Sequence, residues 1–209
     1  MEKIQFYTNP MSRGRIVHWM LEEVGAPYDA HLLDFNKRQT KDPKYLAINP
    51  MGKVPTIVHK GTVVTESAAI CAYLADAFPK AGMAPAVDDA ARGTFYRWLF
   101  FGAGCIEPAI VDKSFSRPQV DRPGMLGYGS FTETFDTLEK ALTPGPFLLG
   151  SRFSAVDVYM ASSLNWAKMT KVLEPKPIFQ EYVSRCFDRP AHKRVVEQSK
   201  AFEERMKSS

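Results

Sequence analysis

The sequence predicts two domains of different class, an α/β domain over residues 1–80 and an all-helical domain over 87–209. Three observations carry this. Between Asn49 and Phe78 the apolar spacing changes from a two-residue to a helical period, so strands give way to a helix. Lys80–Ala86 (Lys-Ala-Gly-Met-Ala-Pro-Ala) has the composition of a linker. Beyond it every apolar pattern is helical.

In chain order, Ile4–Tyr7 reads as a strand ended by Thr8-Asn9-Pro10. A helix starts near Ser12, carries Ile16, Val17, Met20, Leu21 and Val24 on one face, and stops at Gly25 followed by Pro27. Tyr28–Phe35 forms a second strand, parallel to the first across that helix. A polar loop (36–41) leads to a brief helical turn over Pro43–Ala47. Asn49-Pro50-Met51-Gly52 carries turn chemistry, and Pro55 opens the strand Thr56-Ile57-Val58, a place where proline is tolerated. His59–Thr62 reverses the chain, Val63-Val64 returns, and at Thr65-Glu66-Ser67 a helix opens with Ile70, Cys71, Leu74 and Phe78. The order β-α-β-(α)-β-β-α is the thioredoxin-like arrangement, and with it goes a cis Val54–Pro55 bond. A thioredoxin-type oxidoreductase needs Cys-x-x-Cys where the first strand meets the first helix. Asn9-Pro10-Met11-Ser12 contains no cysteine, so any thiol chemistry here runs on a borrowed sulfur.

In the helical part, Asp88–Val111 reads as one long helix bearing Phe95, Tyr96, Trp98, Leu99, Phe100 and Phe101. Pro108 clashes with the carbonyl of Gly104, so a kink is expected there. Lys113–Gly129 is a Pro/Gly-rich crossing, and Phe131, Phe135, Leu138 and Leu142 mark one face of the next helix. Ser154 and Asp157 form a variant capping box, with Phe153 and Val158 placed as its hydrophobic staple. Two helices end the chain, one near Ile178–Phe187 and one restarting at Pro190.

Composition narrows the function. The formal charge of +4 is mild and dispersed, which argues against nucleic-acid binding. No apolar run approaches the ~18 residues that span a bilayer, and no signal-peptide core opens the chain. Cys71, Cys105 and Cys186 show neither disulfide-scaffold nor metal spacing, so no metal is expected and a reducing cytoplasm is the natural setting.

The chemistry offered at 49–67 is specific. A helix N-terminus at Ser67 suits a carboxylate, and the Ser67 hydroxyl adds to it. Glu66 is placed to hold an amine, and the Val54 backbone beside Pro55 to pair with an extended peptide. Together these describe an amino-acid-like ligand. Gly52-Lys53-Val54-Pro55 followed by Thr65-Glu66-Ser67, with Ala69-Ile70 and Tyr73-Leu74 behind, resembles the glutathione-binding half of a cytosolic glutathione transferase. The resemblance covers nearly the whole chain, the capping-box segment included. It implies that Lys53 contacts the glycyl end of glutathione, that Val54 and Pro55 hold the cysteinyl unit, and that Glu66 and Ser67 hold the γ-glutamyl group. Gln39 or Lys41 stands where the family has a basic or amide contact.

It also implies thiol activation. A thiol titrates near ~8.5 and the thiolate is the nucleophile; one hydroxyl bonded to the charged form lowers that by roughly one to two units. Tyr7, Thr8 and Ser12 compete for the role. Ser12 ranks first by similarity to serine-type classes, as an N-cap whose proton stays free to donate. Tyr7 resembles the tyrosine-type residue but stands two residues too far from Arg13-Gly14-Arg15, and Arg15 adds positive charge near the sulfur. Thr8 and Asn9 resemble the disulfide-reducing subgroup. In the family the acceptor site lies between domains, which makes Met11, Phe101, Cys105 and Trp166 its candidates here. The leading expectation is a detoxifying homodimeric transferase joining glutathione to a small electrophile. Glutathione-dependent disulfide or peroxide reduction is the second, and a non-catalytic interaction module the third.

Overall fold

β1 (Ile4–Thr8) is the strand on which the sheet is built. The computed structural model describes residues 2–118 and 120–207. β1 pairs in parallel with β2 (Tyr28–Leu32) and antiparallel with β3 (Thr56–His59), which pairs with β4 (Thr62–Thr65), giving the order β2-β1-β3-β4. Alternation along β1 follows its two-residue period. Ile4, Phe6 and Thr8 are buried, with Phe6 against His18 of α1 (Gly14–Val24), while Tyr7 faces Tyr45 of the short α2 (Pro43–Leu46). α3 (Ser67–Ala77) packs beside α1, and Val17, Met20, Leu21, Ile57, Ile70 and Leu74 close the core between them. The Val54–Pro55 bond is cis, as expected. β2 ends three residues before Phe35 because β1 ends at Thr8: Leu33 gives its N–H to the Thr8 carbonyl as the last bond of the pairing, and the chain then turns after Asp34.

The chain divides into two compact units. One runs up to Met83 and takes the chain up again from Arg189; the other is Ala84–Asp188. The last helix, α9 (Pro190–Lys207), therefore belongs with the sheet, where the sequence reading placed it with the helical domain. Its partner is α1. Arg189 binds Glu23 through two 2.7 Å bonds, the bidentate geometry of a strong charge pair, and Arg194 reaches Glu22 at 2.8 Å. His192 stands edge-on to Trp19, and Phe202 stacks on His18 at 5.2 Å. His18 also lies 2.7 Å from the Tyr28 hydroxyl, which donates to Glu22.

In the second unit, α4 (Ala91–Phe101) and α5 (Glu107–Ser114) are joined by a π-turn over Gly102–Ile106, with Glu107 N–H on the Gly102 carbonyl. The expected kink at Pro108 takes this form. One extra residue in the turn accommodates a proline that brings no N–H of its own. Gly102 is required here, since a Cβ would lie 2.8 Å from the ring of Tyr159 on α7 (Ala155–Met169). α6 (Phe131–Leu142) and α8 (Pro177–Phe187) complete the unit. The capping box of Ser154 and Asp157 is present, and Phe153, expected to staple to Val158, stands edge-on to Phe147. Asp157 does more than cap. Its buried carboxylate also takes the Leu148 N–H at 3.0 Å and the Tyr182 hydroxyl of α8 at 2.8 Å, tying loop, α7 and α8 together.

Two outcomes follow. Ser154→Ala should cost about 1 kcal/mol of stability, the loss of a cap. Asp157→Ala should cost about 3 kcal/mol, because it strands buried donors from three segments; urea melts of the two variants check the ranking. For His18, burial pushes the imidazole down to about 4, against 6.5 ordinarily. The unfolded chain then binds more protons between those values, so stability is full above pH 6.5 and falls as pH drops toward 4. The loss is about 3 kcal/mol. Melting temperature against pH, in wild type and His18→Gln, should show this slope only in the wild type.

Candidate functional site

Two turns of the same sequence, Asn9-Pro10-Met11 and Asn49-Pro50-Met51, lie at the heart of the first unit. In each the asparagine is 3% exposed and its Oδ1 accepts the methionine N–H, at 2.8 and 3.1 Å. The Asn9 amide goes on to the Leu33 carbonyl at 2.8 Å, and that of Asn49 to the Lys53 carbonyl at 2.9 Å. The repeat is readable in the sequence, and in both turns the asparagine is the residue that ties the turn to its neighbour.

The first turn leads into α1. Ser12 lies just outside the helix, which starts at Gly14. Its hydroxyl accepts the Gly14 N–H at 2.9 Å and donates to the Asn9 carbonyl at 2.6 Å, so the proton expected to be free is engaged. The Asn9 carbonyl also accepts the Ser12 N–H at 3.1 Å. Thr8 is 2% exposed and pressed under Gly14, where a Cβ would meet its hydroxyl at 2.0 Å, so Thr8 is covered by the helix. Tyr7 faces the other side of the sheet, stacked on His31 at 4.7 Å and away from Thr8. Arg13, Arg15 and Met11 are exposed.

The second turn builds the opposite kind of surface. The Lys53 carbonyl accepts from the Tyr45 hydroxyl, from Asn49 at 2.9 Å and from Thr56 at 3.4 Å. Gly52 lies at φ 59, and a Cβ there would come within 2.6 Å of the Thr40 carbonyl, so only glycine passes this point. The backbone N–H and C=O of Val54, which follow, bond to no described residue. Further along, Glu66 precedes α3 at φ 64 and ψ 118, a conformation strained for any side-chain-bearing residue. It caps nothing. The first helical bond is Ile70 N–H to the Glu66 carbonyl, which leaves the N–H groups of Ser67, Ala68 and Ala69 open. The Ser67 hydroxyl, on a residue 8% exposed, and the Glu66 and Lys53 side chains likewise bond to no described residue. α1 thus has a closed N-terminus and α3 an open one.

Gln39 behaves otherwise than expected. Its Oε1 accepts the Asp34 N–H at 2.7 Å and closes the loop after β2, while Lys41 reaches the Met51 carbonyl at 3.1 Å. Gln39 lines a cavity of about 570 Å3 between β2, α2 and the end of α9, together with Tyr7, Lys37 and Tyr45. Ser12, Val54, Glu66 and Ser67 are not among its walls. In the second unit, Phe101 ends α4 edge-on to Trp98, Trp166 is half-buried on α7, and Cys105 sits in the π-turn 3.8 Å from the Gly127 carbonyl. Burial pushes the Cys105 thiol up, and Cys71 and Cys186 are buried. Among the described residues no group of three His, Cys, Asp or Glu side chains is placed to hold a metal, and no helix is long and apolar enough to cross a membrane.

Residues 2–76 match the family model for the glutathione S-transferase N-terminal domain, and 117–197 that for the C-terminal domain. Glutathione S-transferase hmp2 of Hypomyces subiculosus is 30% identical over 75% of this chain and 78% of its own. Disulfide-bond oxidoreductase YfcG of Escherichia coli is 26% identical over 98% of this chain and 100% of its own. The crystal structure of a glutathione transferase family member from Pseudomonas fluorescens, with two glutathione bound, superposes with a TM-score of 0.77 at 28% identity, covering 94% of this chain and 93% of that one.

Proposed function

Since this chain belongs to the glutathione S-transferase family, we propose that it binds glutathione along Lys53–Ser67 and presents the thiolate to a small hydrophobic electrophile. The observation that carries this reading is the open N-terminus of α3. Its three unpaired N–H groups and the Ser67 hydroxyl suit the α-carboxylate of the γ-glutamyl group, and Glu66 suits the ammonium. The unpaired Val54 backbone takes the cysteinyl unit as an added strand, and Lys53 the glycyl carboxylate. The relative with two bound glutathiones supports the same reading.

Ser12 is the thiol donor in this proposal. To reach the sulfur its proton swings from the Asn9 carbonyl, which keeps the Ser12 N–H and is not orphaned. A bond to a charged acceptor contributes about 1.5–3 kcal/mol and the neutral bond given up about 1, so the net is about 0.5–2 kcal/mol, or roughly one pKa unit. Arg15, exposed on the first turn of α1, adds positive potential. The thiol proton leaves to solvent, and the sulfur lone pair forms the S–C bond. In substitution the leaving group departs with the bonding pair; in addition, the carbanion takes a proton from water. Met11, Phe101, Cys105 and Trp166 are kept as the proposed contacts of the electrophile. The protein works in the cytoplasm as a homodimer, a reading supported by Tyr96 and Phe100 standing 40% and 75% exposed on α4.

The relation to YfcG over both whole chains favours a second reading, disulfide reduction. The same thiolate attacks a disulfide, forms a mixed disulfide and releases a thiolate. A second glutathione thiolate then resolves the mixed disulfide to oxidised glutathione. Retention on immobilised glutathione, followed by assay on a panel of electrophiles and disulfides, tests both readings; a chain that is not retained fails both.

Ser12→Ala should raise the pKa of the bound thiol by about one unit. Activity at pH 7 should fall about three- to tenfold and recover as pH rises, the smaller figure arising because a more basic thiolate is the better nucleophile. Thiolate absorbance against pH reads this directly, with Tyr7→Phe expected to leave the curve in place. Glu66→Gly should relieve the strained φ and raise stability by about 1 kcal/mol, while raising KM for glutathione with kcat little changed. A variant that loses stability, or kcat instead of affinity, contradicts the role given to Glu66.

A further inference from the structure

The Lys53 carbonyl and the Val54 N–H belong to one peptide unit, and that unit is trans, the cis bond being the next one along. A trans peptide is planar, with its C=O and N–H pointing in opposite directions. Whatever holds the Lys53 oxygen therefore fixes the line along which the Val54 N–H donates. We propose that Tyr45 is a positioning residue for the thiol peptide: through the Lys53 carbonyl it aims and polarises the Val54 N–H that takes the cysteinyl unit. The proposal rests on the glutathione reading above.

Proton accounting gives the hold a direction. Asn49 has two amide hydrogens, one for the Lys53 carbonyl at 2.9 Å and one for the Thr56 hydroxyl at 3.1 Å. The Tyr45 hydroxyl has one proton and gives it to the Lys53 carbonyl. Thr56 then donates to the Tyr45 oxygen at 2.9 Å, the Lys53 carbonyl being its longer alternative at 3.4 Å. The chain thus runs one way, from Asn49 to Thr56 to Tyr45 to Lys53, and each bond polarises the next. All three side chains are buried, which shields the chain from solvent. Burial also raises the Tyr45 hydroxyl above its ordinary range, so it stays protonated and donating. The chain ends on a carbonyl, and a peptide whose C=O is polarised has the stronger N–H donor. Tyr45→Phe acts on this device without breaking the fold. Its ring stays in place, and Thr56 can turn its proton to the Lys53 carbonyl, so no buried donor is stranded. The carbonyl is then drawn toward Thr56, and the plane that aims the Val54 N–H tilts with it.

The test sets Tyr45→Phe, Thr56→Val and Thr56→Ser beside wild type, with S-methylglutathione and γ-glutamylethylamide as ligands. The second ligand has no cysteinyl backbone. Tyr45→Phe should weaken S-methylglutathione about three- to tenfold and raise KM for glutathione by the same factor, as the loss of one neutral hydrogen bond does. The thiol pH profile, kcat and γ-glutamylethylamide binding should stay in place, and the Val54 amide proton should move upfield in the free protein. Thr56→Val breaks the chain one link earlier and carries the test if Tyr45→Phe does not fold; Thr56→Ser, which keeps the hydroxyl, should rescue what Thr56→Val loses. Unchanged affinity for S-methylglutathione, equal loss of both ligands, a fall in kcat, or an unmoved Val54 amide overturns the proposal. A wild type that is not retained on immobilised glutathione is instead a failure of the thiol reading, and the Val54 amide still decides whether Tyr45 polarises it.

Discussion

The Lys53 carbonyl oxygen is where the short helix, the second turn and the sheet of the first unit are tied together. Three donors converge on it, from α2, from the Asn49 turn and from β3. A carbonyl has two lone pairs, so this crowding leaves no room to slip the register by a residue. It also explains α2. Four residues make a poor helix by themselves, but Tyr45, 4% exposed, anchors this one in the sheet and aims a hydroxyl at Lys53. With residue 53 fixed on all sides, residue 54 is the first whose own backbone groups are left over. The unpaired edge at Val54 is a consequence of over-satisfaction next door.

The two Asn-Pro-Met turns use one local device for opposite ends. In both, a buried asparagine takes the methionine N–H and ties the turn to a neighbouring carbonyl. The first is followed by a serine that spends its hydroxyl inside the turn, so α1 begins satisfied. The second leads by way of the hairpin to Glu66, whose left-handed backbone prevents ordinary capping, so α3 begins unsatisfied. Strain at one residue keeps several N–H groups available, and a strained, uncapped helix start inside a well-packed unit persists only where the surroundings over-determine it.

Much of this was legible beforehand. The β1, β3 and β4 strands, α3 and the capping box follow from periodicity, proline placement and a three-residue spacing, all of which are local, and the cis Val54–Pro55 bond follows from the order of elements they give. What was not legible is relational. The amphipathic pattern of α9 says that the helix is buried on one face, but not that Glu22 and Glu23 of α1 would claim it through Arg194 and Arg189. Pro108 announced a disturbance, yet whether a helix kinks or widens into a π-turn depends on Gly102 fitting against Tyr159, a residue 57 positions away. The direction of the Ser12 proton depended on a carbonyl three residues back, which no propensity encodes. Tyr7 and Gln39 illustrate the same limit: strand alternation puts Tyr7 on the α2 face, and a loop contact takes the Gln39 oxygen.

A single compensated hydroxyl bounds what activation can contribute. Lowering a thiol from ~8.5 by one unit raises the thiolate fraction at pH 7 by roughly eightfold, while the intrinsic nucleophilicity of that thiolate falls about threefold. The net gain is small, and a stronger donor would gain little more, because a thiolate already formed only becomes a weaker nucleophile. Holding the reactants has a far higher ceiling, since well-oriented groups reach effective molarities of about 10⁵ M and above. The distribution of polar groups in the first unit matches that imbalance. One hydroxyl is within the turn proposed to meet sulfur, whereas the Val54 backbone, three N–H groups of α3, Ser67, Glu66 and Lys53 bond to no described residue and are the groups proposed to hold the rest of the peptide. On the proposed reading such an arrangement serves a carbon electrophile and a disulfide equally well, because neither asks more of the first unit than a held thiolate. What separates the two chemistries is whether a second thiol can be admitted beside the first, and that depends on the acceptor's surroundings and not on Ser12.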